Sequence, residues 1–181
     1  MAENNSNSNG GSNRRIVTGM FADRDSTERA YNSLQERGYT KDDINLVMSE
    51  DTRKKHFGEG DETEIGTKAA EGAGKGSAIG GTIGAITGVI AALGTSLVIP
   101  GLGILIAGPI AAGLAGAGAG GITGGIVGAL IGSGIPEARA KLYEDGVKQG
   151  SIVMGVHPKN DEDVDYIESS WRESNARDIH R

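Results

Sequence analysis

From Gly76 to Pro136 the chain carries no Asp, Glu, Lys or Arg. No other feature restricts the fold so strongly, because a run this long without charge is not the surface of an ordinary helix in water. Glycine recurs at every fourth position on entry to it, at Gly72, Gly76, Gly80, Gly84 and Gly88, and Ala92 continues the phase. The stretch GAGKGSAIGGTIGAITG (Gly72 to Gly88) contains GKGS, which invites a phosphate-loop reading. That loop needs Gly, four residues, then Gly-Lys-Ser/Thr, so that backbone amides wrap phosphates and a hydroxyl reaches magnesium. Here Ala69 stands at the first glycine position, Gly76 at the hydroxyl position, and charged EGDETEIGTK precedes it instead of an apolar strand.

A flexible linker would mix glycine with serine and polar residues. The gaps hold Ile79, Ile83, Ile86, Val89, Ile90, Leu93, Leu97 and Val98 instead. In a water-exposed helix each glycine costs about 0.8–1 kcal/mol against alanine. A bilayer inverts that constraint, since every backbone group must bond internally and helix is enforced. Small residues at four-residue spacing then form a groove for close helix approach, a glycine zipper. A span needs about 20 apolar residues, and the charge-free run has room for two, with VIPGLG (Val98 to Gly103) as the break.

The second half repeats the spacing at Gly108, Ala112, Gly116, Gly120, Gly124, Gly128 and Gly132. Folding the chain at Pro100 brings Ala92 opposite Gly108, Gly88 opposite Ala112, and Gly84 opposite Gly116. The same fold pairs Gly80 with Gly120, Gly76 with Gly124 and Gly72 with Gly128. Both ridges coincide, as two helices packed by their small residues require. Pro109 falls in the first turn of the second span or kinks it. The expectation is an α-helical hairpin over 72–135 with Pro100 and Gly101 at its turn. The alternative is the same hairpin buried in a water-soluble oligomer.

The flanks read differently. RRIVTGMFAD (Arg14 to Asp23) predicts a strand. DSTERAYNSLQERG predicts an amphipathic helix: Ser26 can cap it, Ala30, Tyr31 and Leu34 share a face, and Gly38 stops it. DDINLVMSE (Asp42 to Glu50) predicts a second strand. Beyond the insertion, Pro136 opens a helix with Ala138, Leu142 and Val147 along one face and Gly150 at its end. SIVMGVHP predicts a third strand, and NDEDVDYIESSWRESNARDIHR a last helix with Val164, Ile167 and Trp171 on one face. The expected fold class is α+β (or α/β). It has a small three-stranded sheet with covering helices, split by the long Gly/Ala-rich hairpin. The expected boundaries are 1–13 a disordered tail, 14–57 the first half-domain, 58–71 a charged linker, 72–135 the hairpin and 136–181 the second half-domain.

Net charge of −6 offers no basic face for nucleic acid. The chain has no cysteine, so disulfides and thiolate metal sites are excluded. His56, His157 and His180 are far apart in sequence. The acidic run NDEDVD (Asn160 to Asp165) lacks the loop glycine and distal glutamate of a calcium loop, and suits a helix start. The basic run TRKKHF (Thr52 to Phe57) reads either as solvated charge or as a contact for anionic headgroups. The opening MAENNSNSNGGSN lacks the basic and apolar regions of a signal peptide.

The flanks resemble the bacterial general-stress-protein domain of the heat-induced type. The residues that carry the resemblance are VTGMFADRDSTERAYNSLQERGYTKDDINLVMSED (Val17 to Asp51) and YEDGVKQGSIVMGVHP (Tyr143 to Pro158). They cover about half of the chain. The glycine segment departs from the simplest members and is similar to glycine-zipper proteins of bacterial envelopes. The resemblance implies a stress-response role without established catalysis. The expectation is therefore a non-enzymatic protein with no catalytic, cofactor-binding or metal-binding residues, no cofactor and no nucleic acid. Its expected partners are the lipid bilayer and further copies of itself. Lys68 and Lys75 precede the first span, and Arg139, Lys141 and Lys148 follow the second. By the positive-inside rule this places the α/β domain in the cytoplasm at the inner membrane, with Pro100 across the bilayer. A soluble cytoplasmic scaffold and a ligand-sensing domain are the alternatives.

Overall fold

The computed structural model describes residues 15–57, 97–99, 103–111 and 125–181. In chain order its elements are β1 (Val17–Phe21), α1 (Arg24–Glu36), β2 (Ile44–Ser49), α2 (Glu50–Phe57), β3 (Leu97–Ile99) and β4 (Ile104–Ala107). There follow α3 (Gly125–Gly132), α4 (Glu137–Lys148), β5 (Ile152–Val156), α5 (Asp161–Glu173) and β6 (Arg177–His180). The strands form one sheet in the order β3-β4-β2-β5-β1-β6, and all neighbours are antiparallel. The class is α+β. The three strands legible in the flanks make its centre, β2-β5-β1, but the sheet has six strands where three were expected.

Successive side chains of a strand point to opposite faces, and here both faces are covered. Phe21, Ile44, Leu46, Met48, Ile152, Met154 and Val156 pack on one side with Ala30, Tyr31 and Leu34 of α1 and Val164, Ile167 and Trp171 of α5. Val47 and Val153 pack on the other with Ile126, Ala129 and Leu130 of α3 and Ala140, Tyr143 and Val147 of α4. This is why the central strands read as continuous apolar runs rather than alternating ones. Trp171 anchors the first face, fully buried, with Phe21 edge-on at 5.7 Å between ring centroids.

Three local expectations are corrected. Helix α1 begins three residues early, because Asp23 and not Ser26 caps it: the Ser26 amide donates to Asp23 Oδ1 at 2.8 Å. The buried stripe of α4 is Ala140, Tyr143, Gly146 and Val147, while Ala138 and Leu142 face outward. Glycine at position 146 lets α4 lie against Met20, whose sulfur would be 2.1 Å from an added Cβ. The last helix stops at Glu173 instead of running towards the end. Asn175 adopts φ 62°, and the Ala176 amide reaches back to the Trp171 carbonyl at 2.8 Å, a helix-ending turn that asparagine tolerates. Residues 177–180 then turn back as β6 beside β1.

The largest departure is in the insertion. Leu97–Ile99 and Ile104–Ala107 are strands, not the facing ends of two helices. They pair antiparallel with Ile99 opposite Ile104. Strand β4 in turn pairs with β2, Leu46 opposite Ala107 through Ser49 opposite Ile104. All four β4 side chains are buried. More than half of the second apolar cluster comes from inside 58–135, namely Ile104, Ile106, Ile110, Ala111, Ile126, Ala129, Leu130 and Ile135. The described residues of the insertion therefore share one core with the flanks.

Candidate functional site

The insertion meets the sheet along the outer side of β2, and the seam is built by three residues. Asn45 lies in the middle of an apolar strand, 1% exposed, on the side of the second cluster. Its Oδ1 accepts the Ile110 amide at 2.8 Å, and its Nδ2 donates to the Gly155 carbonyl at 3.4 Å. The side chain thus satisfies a backbone group of the insertion that would otherwise be buried without a partner. Gly108 makes the approach possible. It adopts φ +99°, and an added Cβ would sit 2.3 Å from the Ile44 carbonyl oxygen. At the other end of β4 the Glu50 amide donates to the Gly103 carbonyl at 2.6 Å.

Next to that end lies an open cleft of about 710 Å³. Its walls are Ala22 and Asp23 after β1, Ser49 to Thr52, Lys55 and His56 of the β2–α2 junction, Gly103 and Ile104, and Val147 to Gly150 at the end of α4. Two helix starts face the sheet end here. Ser49 Oγ accepts the Thr52 amide at 3.0 Å and lies 2.7 Å from Thr52 Oγ1, so both hydroxyls are engaged in capping α2. The backbone amide of Ser26 leads the interactions that hold the Asp23 carboxyl below the usual carboxylate range, ahead of the burial that opposes them. The His56 ring meets Phe57 edge-on rather than a hydroxyl. Arg24 lies over the same Phe57 ring at 5.2 Å and donates to the His56 carbonyl, tying α1 to α2. The basic run at 52–57 is helical and mixed in charge with Glu50 and Asp51, and Lys54 pairs with Glu50 at 3.2 Å. Among the described residues no group of three His, Asp or Glu side chains is placed to hold a metal ion.

The acidic run at 160–165 does start a helix: Asn160 Oδ1 accepts the Asp163 amide at 2.8 Å. Asp163 itself turns inward, which its sequence reading missed. It accepts from Tyr39 Oη at 2.6 Å and from Arg37 Nε at 2.8 Å. The signal was its spacing, four residues before the buried Ile167.

The zipper positions Gly72, Gly76, Gly80, Gly84, Gly88, Ala92, Ala112, Gly116, Gly120 and Gly124 lie outside the described residues, as do the turn residues Pro100 and Gly101. Three zipper positions are described. Gly108 is a strand-end turn and not a helix position. Gly128 and Gly132 are in α3, whose buried residues are Ile126, Ala129 and Leu130. Among the described residues, a Cβ at Gly132 would meet nothing within 4 Å. Ile131 beside it is 43% exposed, and Leu142 of α4 is 39% exposed. Among the described residues no helix is long and apolar enough to cross a membrane. Comparison of the chain with protein-family profiles, with curated proteins and with solved structures finds no match.

Proposed function

We propose that this is a non-enzymatic bacterial stress-response protein that works by self-association through its glycine ridge. The observation that carries this reading is the exposure of one ridge position, Gly132, on α3. Among the described residues nothing lies within 4 Å of a Cβ at Gly132 and Ile131 is exposed beside it, while Ile126, Ala129 and Leu130 are buried in the second cluster. Small residues next to apolar ones on an outer helix face suit close packing against a second helix. The resemblance of the flanks to general stress proteins supplies the stress-response role.

The pairing of β4 with β2 bears on the partner. It places residues 104–107 with the α+β domain, so a chain leaving at residue 57 must come back to the same side by residue 97. Return across a bilayer takes two crossings of about 20 apolar residues each. The charge-free residues 76–96 supply the length of one, and residues 112–124 supply less. This favours a copy of the same chain over a spanned bilayer as the partner of the ridge. Contact with the cytoplasmic face of the inner membrane is the second reading, favoured by the absence of charge from Gly76 to Pro136.

Crosslinking in solution and fractionation test the proposal together. Gly132→Leu and Gly84→Leu should lower the yield of crosslinked oligomer, whereas Ile86→Leu should leave it unchanged. Equal yields from all three variants would remove the ridge from the interface. Recovery only in detergent-extracted membranes would replace self-association in the cytoplasm by the bilayer reading.

A further inference from the structure

We propose that Gly103 to Ala111 form a latch that Asn45 holds on the sheet, and that it opens as a unit while the rest of the domain stays folded. The two faces of the sheet are not equivalent. Among the described residues the face carrying Trp171 is closed mainly by the flanks, with Leu105 and Ala107 added by β4. The opposite face draws Ile104, Ile106, Ile110 and Ala111 from the segment itself. Lifting it away leaves β2-β5-β1-β6 paired and α1 and α5 packed.

The attachments of the latch are few and identifiable. Strand β4 pairs with β2 over Leu46 to Ser49, the Glu50 amide bonds the Gly103 carbonyl, and Asn45 bonds the Ile110 amide. Asn45 is the side chain among them that bonds a backbone amide of the segment, and a buried polar side chain with matched partners is a device for fixing register. A strand that slid by one residue would present the wrong face to both clusters and leave Asn45 Oδ1 without its amide. The latch also forms one wall of the cleft through Gly103 and Ile104. Opening it therefore widens the cleft. Local openings of this kind are carried by contiguous units of lower stability than the whole.

Amide exchange on the full-length chain tests the latch and does not depend on self-association, which crosslinking reads separately. Trp171 is the single tryptophan and sits in the flank-closed face, so its fluorescence reports that face alone. In the wild type, raising denaturant should release protection at residues 104–111 below the midpoint of the Trp171 transition. Protection at residues 17–21 and 152–156 should be lost only with that transition. In Asn45→Ala the Ile110 amide should exchange about tenfold faster or more, the loss expected for a buried donor without its acceptor. The Trp171 signal of this variant should remain native. Exchange of all these strands together with the Trp171 transition in the wild type would overturn the latch, even if the variant failed to fold. A folded Asn45→Ala variant with unchanged exchange at Ile110 would overturn the role of Asn45.

Discussion

Tyr39 Oη donates to Asp163 at 2.6 Å, joining the turn after α1 to the first turn of α5 across 124 positions of chain. The contact is part of a closed set. Arg37 donates to the other Asp163 oxygen at 2.8 Å, and the Lys159 amide donates to Tyr39 Oη at 3.0 Å. Lys159 Nζ lies over the Tyr39 ring at 4.4 Å and donates to the Gly38 carbonyl. The two helices that cover the Trp171 face are thus pinned at one end by a buried carboxylate with each oxygen occupied.

This network makes stability depend on pH at both extremes. Burial works to raise the Asp163 carboxyl, but bonds from Tyr39 and Arg37 and the Arg37 charge outweigh it and leave it below the usual carboxylate range. A group lowered in the folded state contributes stability above its unfolded value of about 4, and that contribution is lost as pH falls through the folded value. Tyr39 is pushed up to about 12, first by burial and then by the bond to Asp163. Its contribution is complete below about 10 and is lost as pH rises towards 12. Thermal unfolding across pH should show Asp163→Asn less stable at neutral pH and flatter on the acid side. Tyr39→Phe should be flatter on the alkaline side. An acid profile of Asp163→Asn parallel to the wild type would reject the assignment.

Gly108 and Gly103 form a matched pair. Both have positive φ, +99° and +60°, but a Cβ at 103 meets nothing while one at 108 meets the Ile44 carbonyl oxygen at 2.3 Å. Gly103→Ala should cost about 1 kcal/mol of backbone strain. Gly108→Ala adds a clash with backbone that cannot rotate away, and about 1–3 kcal/mol beyond its control is expected. Urea unfolding of both variants measures the difference. Equal losses would mean that β4 does not approach β2 this closely.

The side of the membrane on which the β3–β4 turn lies is open to direct labelling, since the chain has no native cysteine. Position 26 is in α1, and position 101 lies between two strands of the same sheet. Under the proposed self-association in the cytoplasm, single cysteines at Ser26 and Gly101 should respond alike to a membrane-impermeant thiol reagent on intact cells, both unmodified until the cells are opened. Labelling of 101 alone would favour the transmembrane hairpin.

The sequence by itself determined the parts whose partners are close along the chain. Asn160 caps α5, Gly38 (φ +84°) and Gly150 (φ +96°) follow the ends of α1 and α4, and Val164, Ile167 and Trp171 share a buried stripe. Each depends on spacing or on a local backbone bond, which a reader of the sequence can count. Residues 104–107, ILIA, were a different matter. A short apolar run with no charge satisfies helix and strand equally, because periodicity separates them only over longer windows. What decided for strand was the open side of β2, with Asn45 placed to receive the Ile110 amide from 65 positions away. The same holds for β6, whose residues Arg177 to His180 pair with β1 only because Asn175 first ends the helix. Asp163 and Leu142 divide the same way: one is acidic and buried, the other apolar and exposed, because Tyr39 and Arg37 meet the first and no described residue covers the second. Local chemistry wrote the helices and the central strands. The edge of the sheet, and with it the place of the glycine-rich insertion, was settled by which backbone groups were left for distant residues to satisfy.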